Sequence, residues 1–308
     1  MNVNTPSNAD VDSLNRTYGA PGRIVFRPSP TGHPIVVLAN QYGSVEVSTY
    51  GGHVLSYRPT GHSPVLFMSR STDLKPGTAI RGGIPVCWPW FGRCGEPGSS
   101  AHGFARKSVW SVAGSEYSEE ESTIVLSLRS SDATKAVWPH DFELTLKISL
   151  SMKLTLSLKT LNTGTEPFKI TEGFHPYFRV KDRDDIVVRG LDGCDFCDAR
   201  VSDVADRTWT GDLRVDDAYD HVFTVTKREW AILDPGLKRA IAMVSRGNKK
   251  LIVWNPGPVK EGDFENLGPD EWKDFVCVEP STLFRPDAIE VLPGVPHELV
   301  CAIQSVPE

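Results

Sequence analysis

The sequence predicts an all-β chain, a large antiparallel β-sandwich with few short helices. Three observations carry this. In DFELTLKISL, Phe142, Leu144, Leu146, Ile148 and Leu150 alternate with polar residues, and the same phase runs on through Met152, Leu154, Leu156 and Leu158. A period of two is the mark of strands with one buried and one wet face. Shorter strand-like runs recur along the chain: RIVF, PIVVLA, SVEVSTY, HVLSY, TIVLSL, DDIVVRG, HVFTV, REWAILD, AIAMVS, KKLIVW, DFVCVEP and HELVCAI. Between them stand turn signals such as Gly51 with Gly52, Asp192 with Gly193, and Asn255 followed by Pro256 and Gly257. Many short strands punctuated by turns indicate a sandwich or barrel. Helix signals are thin. Asp132 can cap one turn over DATKA that Pro139 closes.

The 308 residues, 40% of them hydrophobic, suffice for one sizeable core. We therefore expect a flexible polar tail over residues 1–20 and a single domain over 21–308. The formal net charge of −6 and the lack of a basic cluster argue against a nucleic-acid partner. The N-terminal twenty residues have no apolar segment of a secretory signal, and the apolar stretch IPVCWPWF is short and broken by Pro85 and Pro89. A cytoplasmic monomer without a membrane partner is the expectation. The six cysteines, Cys87, Cys94, Cys194, Cys197, Cys277 and Cys301, are too sparse for a disulfide framework. Cys194 and Cys197 form one CxxC without the further ligands that a structural zinc needs.

Four segments can carry chemistry. AIRGGIPVCWPWFG, residues 79–92, combines Arg81, a glycine pair, two prolines and three aromatics without strand alternation. It reads either as a pocket wall, with Arg81 offering a planar fork to a phosphate, or as a crossover that plugs the end of the fold. In AHGFAR, His102 and Arg106 flank a glycine bend and either face a cavity or are structural. His175 lies in the proline-stiffened FHPYF, and an imidazole exchanges protons near neutrality. Glu279 ends the apolar run of DFVCVEP, where a carboxylate is a tuned base or half of a structural bridge. His33, His53, His62, His140, His221 and His297 read as structural or solvated. No P-loop, dinucleotide fingerprint, HExxH or GxSxG elbow is present, so neither a cofactor nor a metal is expected and catalysis falls to side-chain acids and bases.

Taken in order, IRGGIPVCWPWFG, AHGFAR, FHPYFRV, GLDG, YDHVF, VWNPG and FVCVEP resemble the aldose 1-epimerase superfamily, in particular its glucose-6-phosphate 1-epimerase branch. The likeness runs from SVEVSTYGGHVLSY to the C-terminal strands. It implies a galactose mutarotase-like supersandwich that interconverts the α and β anomers of a hexose 6-phosphate. His175 would be the general acid to the ring oxygen and Glu279 the base for the C1 hydroxyl. His102 would bind the ring oxygen, Asp220 sugar hydroxyls, and Arg81 with Arg106 the phosphate. Two positions depart from the pattern. Glu172 stands where many relatives have an uncharged residue, which leaves its role open. His221 stands where they often have arginine. A mutarotase for free aldoses such as galactose would keep the acid–base pair without the clamp. A non-catalytic sugar-binding sandwich would need neither titratable group.

Overall fold

The computed structural model describes residues 6–72, 74–93, 100–201, 207–215, 218–258, 264, 266–283 and 287–307. Two sheets, each of eight strands among these residues, face one another across a continuous apolar core. The first holds the longest strands, in the spatial order Val187–Arg189, Glu229–Asp234, Arg239–Arg246, His297–Pro307, Leu154–Asn162, Phe142–Leu150, Ser122–Arg129 and Ser111–Tyr117. The second runs Arg207–Thr208, Asp195–Asp198, Tyr219–Thr224, Lys250–Asn255, Phe275–Thr282, Glu172–Phe174 and Val86–Cys87, with Tyr177–Arg179 also paired to Phe275–Thr282. A four-stranded meander, Ile24–Arg27, Ile35–Asn40, Gly43–Ser48 and His53–Pro59, precedes them. The predicted all-β sandwich is what the chain forms.

The alternating leucines do what their period implies. Phe142, Leu144, Leu146, Ile148, Leu150, Leu154, Leu156 and Leu158 are all buried, each stabilising the fold by about 1.5–3 kcal/mol. Met152 breaks the pattern, being 62% exposed at the turn that joins the two strands. Leu150 pairs with Leu154 across that turn, so the return strand begins in the same even phase and the periodicity reads through it. The short helix comes out at Asp132–Val137, but Ser131 caps it, accepting from the Thr134 amide, rather than Asp132. The strands that lack a sequence signal, such as Val86–Cys87, Glu172–Phe174 and Tyr177–Arg179, are two or three residues long and too short to show a period.

The expected tail needs correction over residues 8–18, which form a 3₁₀ turn (Asn8–Asp10) and a helix (Val11–Tyr18). Their polar residues have partners. Asn15 donates to the Phe26 carbonyl at 2.9 Å and accepts from its amide at 2.8 Å, and Asn8 treats Ser29 likewise at 2.7 and 2.9 Å. The Asn15 amide thus covers backbone groups on the free edge of strand Ile24–Arg27, and Asn8 holds the segment that follows it. Cys87, Cys194, Cys197, Cys277 and Cys301 are buried free thiols, while Cys94 lies outside the described residues. No helix among the described residues is long and apolar enough to cross a membrane.

Candidate active site

The site is built on the face of the second sheet that points away from the main core. In register, Asp220, Trp254, Cys277 and Tyr177 form one cross-strand row on that face, and Val222, Ile252 and Glu279 form the next. Strand Phe275–Thr282 pairs with Glu172–Phe174 at Thr282 and Ser281, then with Tyr177–Arg179 from Cys277 onward. The register is the same on both sides of this gap, so His175 stands opposite Glu279. Pro176 and Pro280 flank the gap, and neither can donate to the ladder. The His175 amide instead donates to the Pro85 carbonyl at 3.1 Å. Its Nε2 lies 3.3 Å from Glu279 Oε1.

The segment at residues 79–92 contributes both to the core and to the cavity. Ile84, Val86 and Trp88 are buried in the core, while Arg81, Phe91 and Gly92 line the cavity. Its glycine pair is steric. Gly83 sits at φ 62°, where a Cβ would come within 2.2 Å of the Val54 carbonyl. Gly103, at φ 68°, leaves no room either, with Trp88 O at 1.9 Å from a Cβ. His102 just before it is held at φ 61°, a left-handed conformation that a non-glycine residue adopts only when its surroundings enforce it. The Gly92 amide donates to His102 Nδ1 at 3.3 Å. In a neutral ring this leaves the proton on Nε2.

All six residues singled out in the sequence, Arg81, His102, Arg106, His175, Asp220 and Glu279, line one cavity of about 640 Å³. Arg81 Nη1 donates to the Tyr177 hydroxyl at 3.0 Å, and its guanidinium lies 5.7 Å from the Phe264 ring centroid. Arg106 anchors on the Ala101 carbonyl at 2.7 Å, while its buried Nε finds no partner among the described residues. His175 is boxed in by rings. Tyr177 stacks on it at 4.9 Å and Phe91 at 6.2 Å, with the edges of His102 and Trp254 at 5.6 and 5.8 Å.

Burial sets the protonation of this site. It holds the His175 imidazole well below its ordinary value, helped by electrostatic coupling to His102, Arg106 and Arg81. It pushes the Glu279 carboxyl well up, and Asp220 adds to this. Burial and Asp198 together raise Asp220 to about 6. His102 is lowered to about 3 by burial and by the two arginines, so it is a neutral hydrogen-bond donor. Glu279 Oε2 and His175 Nδ1 are buried without a partner among the described residues, although most buried polar atoms have one.

Both departures from the family pattern lie outside the cavity. Glu172 is fully buried and bonds His297 at 2.7 Å. His221 follows Asp220 in the strand and so faces the other way, stacking on Tyr219 at 3.9 Å. There it borders a second, more open cavity of about 720 Å³ with Arg189, Arg200, Arg207 and Trp209. Arg189 and Arg200 are already paired with Asp212 at 3.0 Å and Asp198 at 2.7 Å, and none of the six residues singled out in the sequence lines this cavity. The smaller cavity is therefore the candidate site. Sequence reasoning missed Tyr177, Trp254 and Phe91 as parts of it. Each lies within a motif already noted, FHPYF, VWNPG and IRGGIPVCWPWFG, but as a ring whose neighbours only the fold supplies.

Residues 34–304 match the model of the aldose 1-epimerase family. A Salmonella typhimurium protein named "Putative glucose-6-phosphate 1-epimerase" is 32% identical over 271 residues, covering 87% of this chain and 90% of that one. A protein of the same name from Cenchrus ciliaris is 32% identical over 91% of this chain and 87% of its own. Among solved structures, one described as a "putative mutarotase" from Salmonella typhimurium superposes with a TM-score of 0.86 at 28% identity, covering 97% of this chain and 99% of that one. The chain is therefore an isomerase of the aldose 1-epimerase family.

Proposed function

We propose that the protein interconverts the α and β anomers of a hexose 6-phosphate, with D-glucose 6-phosphate the first substrate to test. The observation that carries this is the 3.3 Å apposition of His175 and Glu279 in a cavity that Arg81 and Arg106 also line. A volume of about 640 Å³ lies within the ~300–1,000 Å³ common for small-ligand sites.

Ring opening requires a proton delivered to the ring oxygen and one taken from the C1 hydroxyl. Burial favours the neutral forms of both His175 and Glu279, so together they hold one transferable proton. With that proton on His175, the imidazolium is the acid and the Glu279 carboxylate the base. The C1–O5 bond breaks as the C1 hydroxyl becomes the aldehyde. Rotation about C1–C2 then presents the other carbonyl face, and closure returns both protons by the reverse transfers. The Nε2–H of His102 serves the ring oxygen, where negative charge develops. Asp220 holds sugar hydroxyls. Arg81, oriented by Tyr177, and Arg106 bind the phosphate, since a dianion is best met by two guanidinium forks.

Exchange spectroscopy on the anomeric protons of glucose 6-phosphate, glucose and galactose tests this directly. Acceleration of glucose 6-phosphate well above the free sugars is expected. Equal acceleration of glucose would make this a free-aldose mutarotase, and no acceleration of any sugar would leave only binding.

A further inference from the structure

Strand Phe275–Thr282 places Cys277 two residues before Glu279, on the same face and in the cross-strand row of Asp220, Trp254 and Tyr177. The acid–base scheme gives this thiol no part. One donor atom each from His175, Cys277 and Glu279 lies within 4.8 Å of the other two, and all three residues are buried. Imidazole, thiolate and carboxylate are the three side-chain ligand types that zinc accepts. Metal–ligand lengths of about 2.0–2.3 Å put neighbouring ligands of a tetrahedral ion roughly 3.3–3.6 Å apart. His175 and Glu279 already stand 3.3 Å apart, and Cys277 has roughly 1 Å to close, within reach of a side-chain rotation. Glu279 Oε2 also lacks a partner among the described residues, so a cation held by this carboxylate would satisfy an atom that is otherwise costly to bury.

We propose that His175, Cys277 and Glu279 form a zinc-binding site at the base of the cavity, and that zinc held there excludes the sugar and stops anomer exchange. On binding, the thiol and the His175–Glu279 pair each give up one proton to solvent, and the ligand lone pairs supply the electrons of the new bonds, so no redox partner is needed. His175 and Glu279 line the cavity, so an ion held by them would border it. Zinc would thereby occupy both groups that move protons, making it a reversible inhibitor.

The inhibition rests on the proposed function, whereas the site itself does not, and the experiment separates them. Cobalt(II) is titrated into the wild type, Cys277→Ser and Cys277→Ala. A thiolate-to-cobalt charge-transfer band is expected in the wild type and in neither variant. Anomer exchange of glucose 6-phosphate is then followed against zinc, with chelator reversal. The variants should keep the metal-free rate yet need at least about tenfold more zinc for half-inhibition, since even the outer partners of a metal ligand are worth ~10–100-fold in affinity. Saturating glucose 6-phosphate should raise the zinc needed by the wild type. A missing cobalt–thiolate band would overturn the site. Equal zinc sensitivity of wild type and variants, or no protection by substrate, would overturn the inhibition. Absence of exchange in metal-free wild type would sink the proposed function while leaving the cobalt result standing.

Discussion

Among the described residues, two histidine–carboxylate pairs stand in opposite environments. His297 and Glu172 meet at 2.7 Å with a well-formed hydrogen bond. Burial pulls His297 down, but the hydrogen bond and charge of Glu172 outweigh it and raise the imidazole above its ordinary value. This pair is a charged bridge that ties strand His297–Pro307 of one sheet to Glu172–Phe174 of the other. His175 and Glu279 stand at 3.3 Å, and burial drives both toward neutrality amid two arginines and a ring box. The first pair serves as a brace, whereas in the proposed function the second keeps a proton to move. What separates a brace from a reactive pair is the field and the geometry around it, not the identity of the residues.

The largest effect expected from this contrast is catalytic. Glu279→Gln and His175→Ala should each slow anomer exchange by about 10²–10⁴-fold while the far-ultraviolet circular dichroism is unchanged, whereas His297→Gln should stay within about threefold of wild type. Near-normal exchange in either of the first two variants would remove the distinction. The second test reverses the readout. Glu172→Ala leaves His297 without its counter-charge and should lower unfolding free energy by about 3 kcal/mol in denaturant melts, as expected when one partner of a buried pair is removed. A smaller loss would show that solvent reaching the 20%-exposed imidazole replaces Glu172.

Arg81→Ala sharpens the comparison from the side of the reactive pair. Losing a charge-assisted bond worth ~1.5–3 kcal/mol should raise KM for glucose 6-phosphate by about 10–100-fold, with any exchange of free glucose nearly unchanged. Parallel losses on both sugars would mean that Arg81 acts through Tyr177 on His175 instead. The smallest effect is on pH. Because the His297 pKa is raised in the folded protein, its contribution to stability is full below the unfolded value of about 6.5 and is lost as pH rises through the folded value. Stability of the wild type should therefore fall over that window, and His297→Gln should flatten the fall. An equal slope in the two proteins would assign it to another group.

Much of this was legible in the sequence, and the limits have physical causes. Alternation revealed the long strands because each presents many turns of the same period, and the motif order brought His175, Glu279, Arg81, His102, Arg106 and Asp220 together before any coordinates. The Glu172–His297 bond joins residues 125 positions apart, and nothing local marks either partner. His297, read as an ordinary histidine, is indeed structural, but its function as a brace needed the second sheet. The N-terminal helix was missed because Asn8 and Asn15 are polar for a reason that lies in another segment, the strand Ile24–Arg27 and the residues that follow it.

The placement of the site residues has a further consequence. Glu279 and Asp220 project from paired strands, and His175 is held by the register on either side of its gap. Arg81, His102 and Arg106 come from irregular segments shaped by Gly83 and Gly103. The spacing of His175 and Glu279 is thus set by the register of the paired strands on either side of the gap, which tolerates little change. The arginines proposed to bind the phosphate sit outside the strands, on segments that can be replaced without moving them, whereas Asp220 is part of the sheet. Such a division makes the scaffold evolvable: new substrate preferences are open to it through loop substitutions, each tested by selection against an acid–base pair that stays intact.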